Sequence, residues 1–304
     1  MTQSGHTSPE GSVELNMSSE DESTRIDVQS AVGGDRAALN RILLGVQDLI
    51  YGLSLRMLGD LEEARDATQE ILLRVVTRLS AFRGESRFST WTYRIASNAL
   101  IDWKRREGGR PPLESLGDQL SQPEEPWPAG VGEDDAEQAL LEREVYLGCS
   151  LGLLAGLSDD QRLAFILGEV LELDHGEASA VLEVPAQVFR KRLSRARQRL
   201  REFLSPRCTQ INSEGSCRCA NQVPLNVGLG RIKPKALRLV SHPCSLPSRL
   251  LLDPAERRRA KRVVIGVTQL VEVAELFRKQ PDYKAPEAIR EAILQTLSQA
   301  GGQN

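Results

Sequence analysis

From Arg25 to Arg106 apolar residues recur at helical intervals almost without interruption, which restricts this part of the chain to packed helices. Ile42, Leu43, Val46, Leu49 and Ile50 form one stripe, and Leu53, Leu55 and Leu58 extend it. Leu61, Ala64, Thr68, Ile71, Leu72, Val75 and Leu79 form a second. Asp66, Gln69 and Glu70 fall on the opposite face of that helix as an acidic and amide patch, which a solvated surface would also explain. A third helix is expected over Phe88 to Arg106, with Ser89 as its N-cap, an aromatic cluster near its start and a basic run at its end. Rings, an amide and cations suit unstacked bases and phosphates, because every base has a π-face and every nucleotide a charge. The same spacing suits Trp91, Ile95 and Leu100 as ordinary core, so both readings stand at this point.

The chain has 304 residues, enough for two or three small domains, and its 39 basic and 42 acidic residues leave a net charge of −3. The charges are segregated along it. Residues 1–24 and 112–141 carry only acidic charges, whereas residues 189–201 hold Arg190, Lys191, Arg192, Arg195, Arg197, Arg199 and Arg201 without a carboxylate. Fields act over about 8–10 Å in physiological salt, so this stripe can hold phosphates whatever the net charge. No apolar run approaches the ~20 residues of a membrane span, and the N-terminus has no basic-then-apolar leader pattern. Five cysteines do not suggest a disulfide framework, and a cytoplasmic location is expected. No catalytic constellation is evident, and an enzyme is not expected.

The punctuation sets the organisation. A disordered acidic N-terminus over residues 1–24 precedes a helical domain over 25–108. A flexible acidic, Pro-rich linker over 109–137 leads to a second helical domain over 138–205. In the latter, Ser158 with Gln161 and Asp174 with Glu177 read as capping boxes, and Pro185 suits the first turn of a last helix. Phe189, Leu193, Ala196, Leu200 and Phe203 give that helix an apolar stripe, with basic residues on its other faces. Two helices, a tight turn and a basic second helix make a helix-turn-helix.

The segments 59–79 and 88–106 together resemble region 2 of the sigma-70 family of the extracytoplasmic-function (ECF) type. The resemblance lies in Asp66-x-x-Gln69-Glu70 and in Phe88-Ser89-Thr90-Trp91 with Tyr93-Arg94-Ile95-Ala96, Asn98, Asp102 and Arg105-Arg106. Residues 157–204 resemble region 4, closing on Arg192-Leu193-Ser194-Arg195-Ala196-Arg197. The resemblance implies an all-α fold of two sigma domains and a dissociable subunit of bacterial RNA polymerase. Asp66, Gln69 and Glu70 would dock on the polymerase core, whose β′ and β subunits are the implied partners. Phe88, Trp91 and Asn98 would capture bases of the promoter −10 element, with Arg94, Lys104, Arg105 and Arg106 on phosphates. Arg190, Lys191, Arg192 and Arg195 would hold the −35 duplex. Three positions depart from the pattern. Thr92 replaces a large aliphatic residue, Glu183 stands at a turn position usually held by Gly, and Gln187-Val188 replaces a Gly-Thr pair. Glu183 would need a turn geometry open to a non-glycine residue.

About 100 residues follow, divided into a Cys-containing segment over 206–252 and a helical extension over 253–304. Cys208, Cys217 and Cys219, with His242 and Cys244 further on, are candidate zinc ligands, and redox-active or simply reduced thiols fit the spacing as well. Helices are expected over 254–279 and 286–298. Their apolar faces need a partner, and the sigma body itself is the economical one. Self-regulation by this extension, or a separate anti-sigma protein, is expected. A stand-alone helix-turn-helix regulator, or a metal- or redox-responsive DNA-binding sensor, is the rival reading.

Overall fold

The computed structural model describes residues 19–107, 113–120, 125–242, 244–245 and 268–301. Helix α1 (Ser19–Val32) takes in the end of the acidic N-terminal stretch, so residues 19–24 are helical and not disordered as expected. Asp35 caps α2 (Arg36–Leu58) by accepting from the amides of Ala37 and Ala38. Gly59 ends α2 at φ 70°, a left-handed conformation that costs glycine little, and its amide bonds Leu55 O at 2.7 Å. Asp60 then caps α3 (Leu61–Thr77) on the amides of Glu62 and Glu63. A C-cap glycine followed at once by an N-cap aspartate folds α3 back on α2. Helix α4 (Phe88–Glu107) completes the first domain, and the expected stripe residues Ile42, Leu43, Ile50, Ile71, Leu72, Val75 and Leu100 are all buried.

Two local expectations are corrected. Helix α4 starts at Phe88, so Ser89 lies inside its first turn and is not the N-cap. The linker is not uniformly irregular either: Leu113–Leu120 forms α5, and Leu113 is buried in the main core. Its Leu113, Leu116 and Leu120 repeat at helical spacing, which gives an acidic segment one apolar edge to dock.

The second domain is α6 (Asp135–Ala155), α7 (Asp159–Phe165), a π-helical turn (Ile166–Val170), α8 (His175–Val181) and α9 (Ala186–Leu204). The two caps form as expected: Ser158 Oγ accepts from Gln161 N, and Asp174 from the amides of Gly176 and Glu177. Phe189, Leu193, Ala196 and Leu200 are the buried stripe of α9. The two domains do not hang apart. They share one continuous core, which also takes in the C-terminal extension.

The extension begins with a parallel bridge between Cys208 and Cys217 and a short helix α10 (Val223–Gly228). Antiparallel two-residue strands β1 (Cys244–Ser245) and β2 (Asp282–Tyr283) flank α11 (Thr268–Arg278), and α12 (Glu287–Gly301) follows. The part of the helix expected over 254–279 that precedes Thr268 lies outside the described residues. Helix α11 packs on α9 and the π-turn, and α12 on α2 and α3. Among the described residues the fold is all-α apart from that strand pair.

Candidate nucleic-acid and polymerase surfaces

Helix α3 presents Asp66 to solvent, while Gln69 and Glu70 are half-buried. Glu70 is engaged inside the domain, paired with Arg74 one turn on and with Arg106 of α4 at 3.4 Å. The expected acidic patch is therefore one open carboxylate beside a bridged one.

Helix α4 divides its candidate residues in two. Phe88 and Trp91 are each only 7% exposed and stack on one another at 5.5 Å, with Phe82 closing an aromatic box around both. They are core in this conformation, so the rings expected to meet bases are covered, because aromatic area is too large to leave in water when a box can enclose it. Lys104 is likewise buried, 4.0 Å from Asp159 at the head of α7. Asn98, Arg105 and Arg106 are exposed and Arg94 half-buried.

The second domain lies across that helix. Thr90 donates to Glu177 at 2.5 Å, and Asn98 Nδ2 meets Glu183 Oε2 at 3.5 Å. Glu183 keeps the left-handed turn, at φ 52°, rather than adopting a geometry suited to a non-glycine residue. Its amide bonds Ala180 O, and Val184 N bonds Ser179 O, the double closure of a helix C-terminus that glycine normally makes. Helix termination thus fixes the backbone, and the glutamate is fitted onto it.

Helix α9 turns Arg190, Lys191 and Arg195 outward, the arrangement a duplex reader needs. Arg192 is held back at 2.8 Å from Asp160 of α7. Arg197 is turned inward, paired with Glu169 on the π-turn. That buried carboxylate also accepts from Arg278 of α11 at 2.9 Å, so one acid joins the basic helix to the extension. Sequence reasoning missed Glu169, whose only signal is a lone acid in the apolar run from Leu163 to Leu171.

Among the described residues no group of three or more His, Cys, Asp or Glu is placed to hold a metal ion, so zinc at Cys208, Cys217 and Cys219 is not supported. His242 is engaged elsewhere, stacked on Tyr51 at 5.2 Å and 3.1 Å from Lys284 O. Burial pushes the Cys217 thiol up to about 11 and Cys219 to about 12, with neighbouring thiols adding to both. The thiols line a largely apolar cavity of about 310 Å³ between α5, α6, the end of α9 and α10. Among the described residues no helix is long and apolar enough to cross a membrane.

Sigma-70 region 2 matches residues 44–110, and sigma-70 region 4 matches residues 148–200. The RNA polymerase sigma-H factor of Pseudomonas aeruginosa is 31% identical over 179 residues, which span 59% of this chain and 92% of that protein. The chain belongs to the sigma-70 family, ECF type. The ECF RNA polymerase sigma-E factor of Escherichia coli K12 is 28% identical over 190 residues, 62% of this chain and 97% of the relative. Among solved structures, CnrH in complex with the cytosolic domain of CnrY aligns with a TM-score of 0.43 at 19% identity, covering 60% of this chain and 96% of that one. The two family models leave the extension of the sigma factor unmatched, since the region 4 match ends at residue 200, within α9.

Proposed function

We propose that this sigma factor directs bacterial RNA polymerase to promoters, and that its C-terminal extension holds it in a closed, inactive form. Helix α3, through Asp66 with Gln69 and Glu70, is the proposed polymerase-docking element. Helix α4 is the proposed −10 reader, with Asn98 on bases and Arg94, Arg105 and Arg106 on phosphates. Lys104 joins it once the covering domain leaves, and Phe88 and Trp91 once their box with Phe82 opens. Helix α9, through Arg190, Lys191 and Arg195, is the proposed −35 reader. The chain supplies recognition and strand capture, and the polymerase supplies the chemistry. The domain limits we propose are those expected from the sequence, with α5 inside the linker.

One observation carries the regulatory reading: the extension grips both sigma domains at once. Phe277 is wholly buried with its ring edge on Phe165 of α7 at 5.0 Å. On the other domain, Arg56 donates to Pro281 O at 3.2 Å and lies over the Tyr283 ring, and Asp48 accepts from Ala285 N at 2.9 Å. Glu144 of α6 takes the amides of Arg238, Leu239 and Val240 at 2.7–3.1 Å. A segment fixed to both domains opposes their separation. Run-off transcription with core polymerase across a genomic promoter library tests the function. Promoter-specific transcripts are expected, and more of them from a chain truncated after Ser205. Duplex binding with no transcript from either form would favour a stand-alone regulator.

A further inference from the structure

Three carboxylates of the second domain meet polar groups of α4. Asp159 faces Lys104, Glu177 accepts from Thr90, and Glu183 meets Asn98. At 100° per residue, positions 90, 98 and 104 lie within about a third of the helix circumference, so the acids line one side of it. Lys104 and Asn98 belong to the proposed strand-binding set, and Thr90 sits between Phe88 and Trp91. Carboxylate oxygens offer a cation, an amide and a hydroxyl the same acceptors that phosphates and base edges offer.

Glu183 adds an independent observation. Its φ of 52° lies where L residues rarely settle, and the helix-ending turn it occupies favours glycine. Strained non-glycine residues persist where the side chain has work that the surroundings over-determine. Here that side chain crosses to Asn98 of the other domain.

We infer that the helix-turn-helix, through Glu177 on α8 and Glu183 at its turn, is an acidic latch on α4, in which both carboxylates occupy the place of single-stranded DNA, so that the closed chain and bound strand exclude one another. The extension supplies the grip and the latch supplies the competition, which makes melted promoter a ligand that opens the protein. This inference rests on the reading of α4 as the strand-binding helix, and the two can fail separately. A latch that competes with a ligand lowers its apparent affinity by the fraction of chain held closed.

The test uses the full chain with Glu177→Gln and Glu183→Asn combined, asparagine being tolerant of left-handed φ. Glu183→Gly is a second variant that meets the turn without strain, so that a folding defect in the first cannot decide the matter. Binding of a fluorescein-labelled single-stranded oligodeoxynucleotide of mixed sequence is read by anisotropy, and amide exchange of α4 and α8 by mass spectrometry. Faster exchange in both helices with at least about fivefold tighter strand binding, the lower end of typical site-to-site coupling, is the expected result. Unchanged exchange and unchanged binding would overturn the latch. Faster exchange without tighter binding would overturn the exclusion through its premise, since α4 would then not be the strand-binding helix.

Discussion

Arg162 Nη1 of α7 donates to Met57 O across the domain boundary at 2.5 Å, while Nε donates to Leu154 O and Nη2 to the Ala155 and Leu157 carbonyls. It is 1% exposed. One cation therefore serves carbonyls at the C-terminal ends of α2 and α6, where helix dipoles concentrate negative charge and no intrahelical donors remain. Arg162→Leu should cost about 3–5 kcal/mol, the usual loss when one partner of a buried charged network is removed. Arg162→Lys should recover little, since an ammonium cannot reproduce the fork. Chemical denaturation checks both, and a loss under about 1 kcal/mol for Arg162→Leu would mean the carbonyls find water.

On the docking face, Asp66 is the clean position and Glu70 is not, because Glu70 bridges α3 to α4 through Arg106. Asp66→Lys should move stability by less than about 0.5 kcal/mol yet impair holoenzyme assembly. Sizing chromatography with core polymerase reads the outcome. Wild-type assembly by this variant would remove Asp66 from the proposed docking set.

The two helices proposed to read DNA should respond differently. Asn98→Ala, at an exposed site, should leave duplex binding intact and reduce promoter melting seen by permanganate footprinting. Arg190→Ala should weaken duplex binding by about 1–3 kcal/mol if it makes a bidentate base contact. Trp91→Ala is the poorer probe, since deleting a boxed indole should cost about 3–5 kcal/mol of core stability before any base is considered.

The thiols make a pH prediction with a definite sign. Their folded values are raised above the ordinary 9.0, to about 11 for Cys217 and about 12 for Cys219, so the folded state holds these protons longer than the unfolded chain does. The stability they contribute is complete below about pH 9 and is lost as pH rises through 11 to 12. Cys217→Ser with Cys219→Ser should flatten that alkaline limb. At neutral pH iodoacetamide should label them slowly in the folded protein and much faster in urea, because the thiolate is the nucleophile.

The sequence carries the helices, their caps and the basic helix because those are local: Ser158 and Asp174 announce helix starts within three residues. Asp66, Arg190, Lys191 and Arg195 could be placed outward by period alone. What escaped the sequence is what depends on packing between distant segments. The rings of Phe88 and Trp91 carry the same signal whether they meet bases or Phe82. Arg162 reads as a surface cation until four carbonyls surround it. Glu183 reads as a departure from glycine, and only the backbone reveals that the turn kept glycine's geometry. Helix α5 was hidden by acidic composition around three leucines.

The closed form is the central claim, and core-polymerase affinity tests it most directly. Phe277→Ala with Arg278→Ala removes the grip of the extension on α7 and on Glu169 without touching α3, α4 or the outward face of α9. Binding of fluorescently labelled chain to core polymerase should be measured for the parent, this variant and the chain ending at Ser205. The account predicts that both altered chains bind core at least about fivefold more tightly than the parent, as expected when a closed population is released. Equal affinity for all three would contradict it.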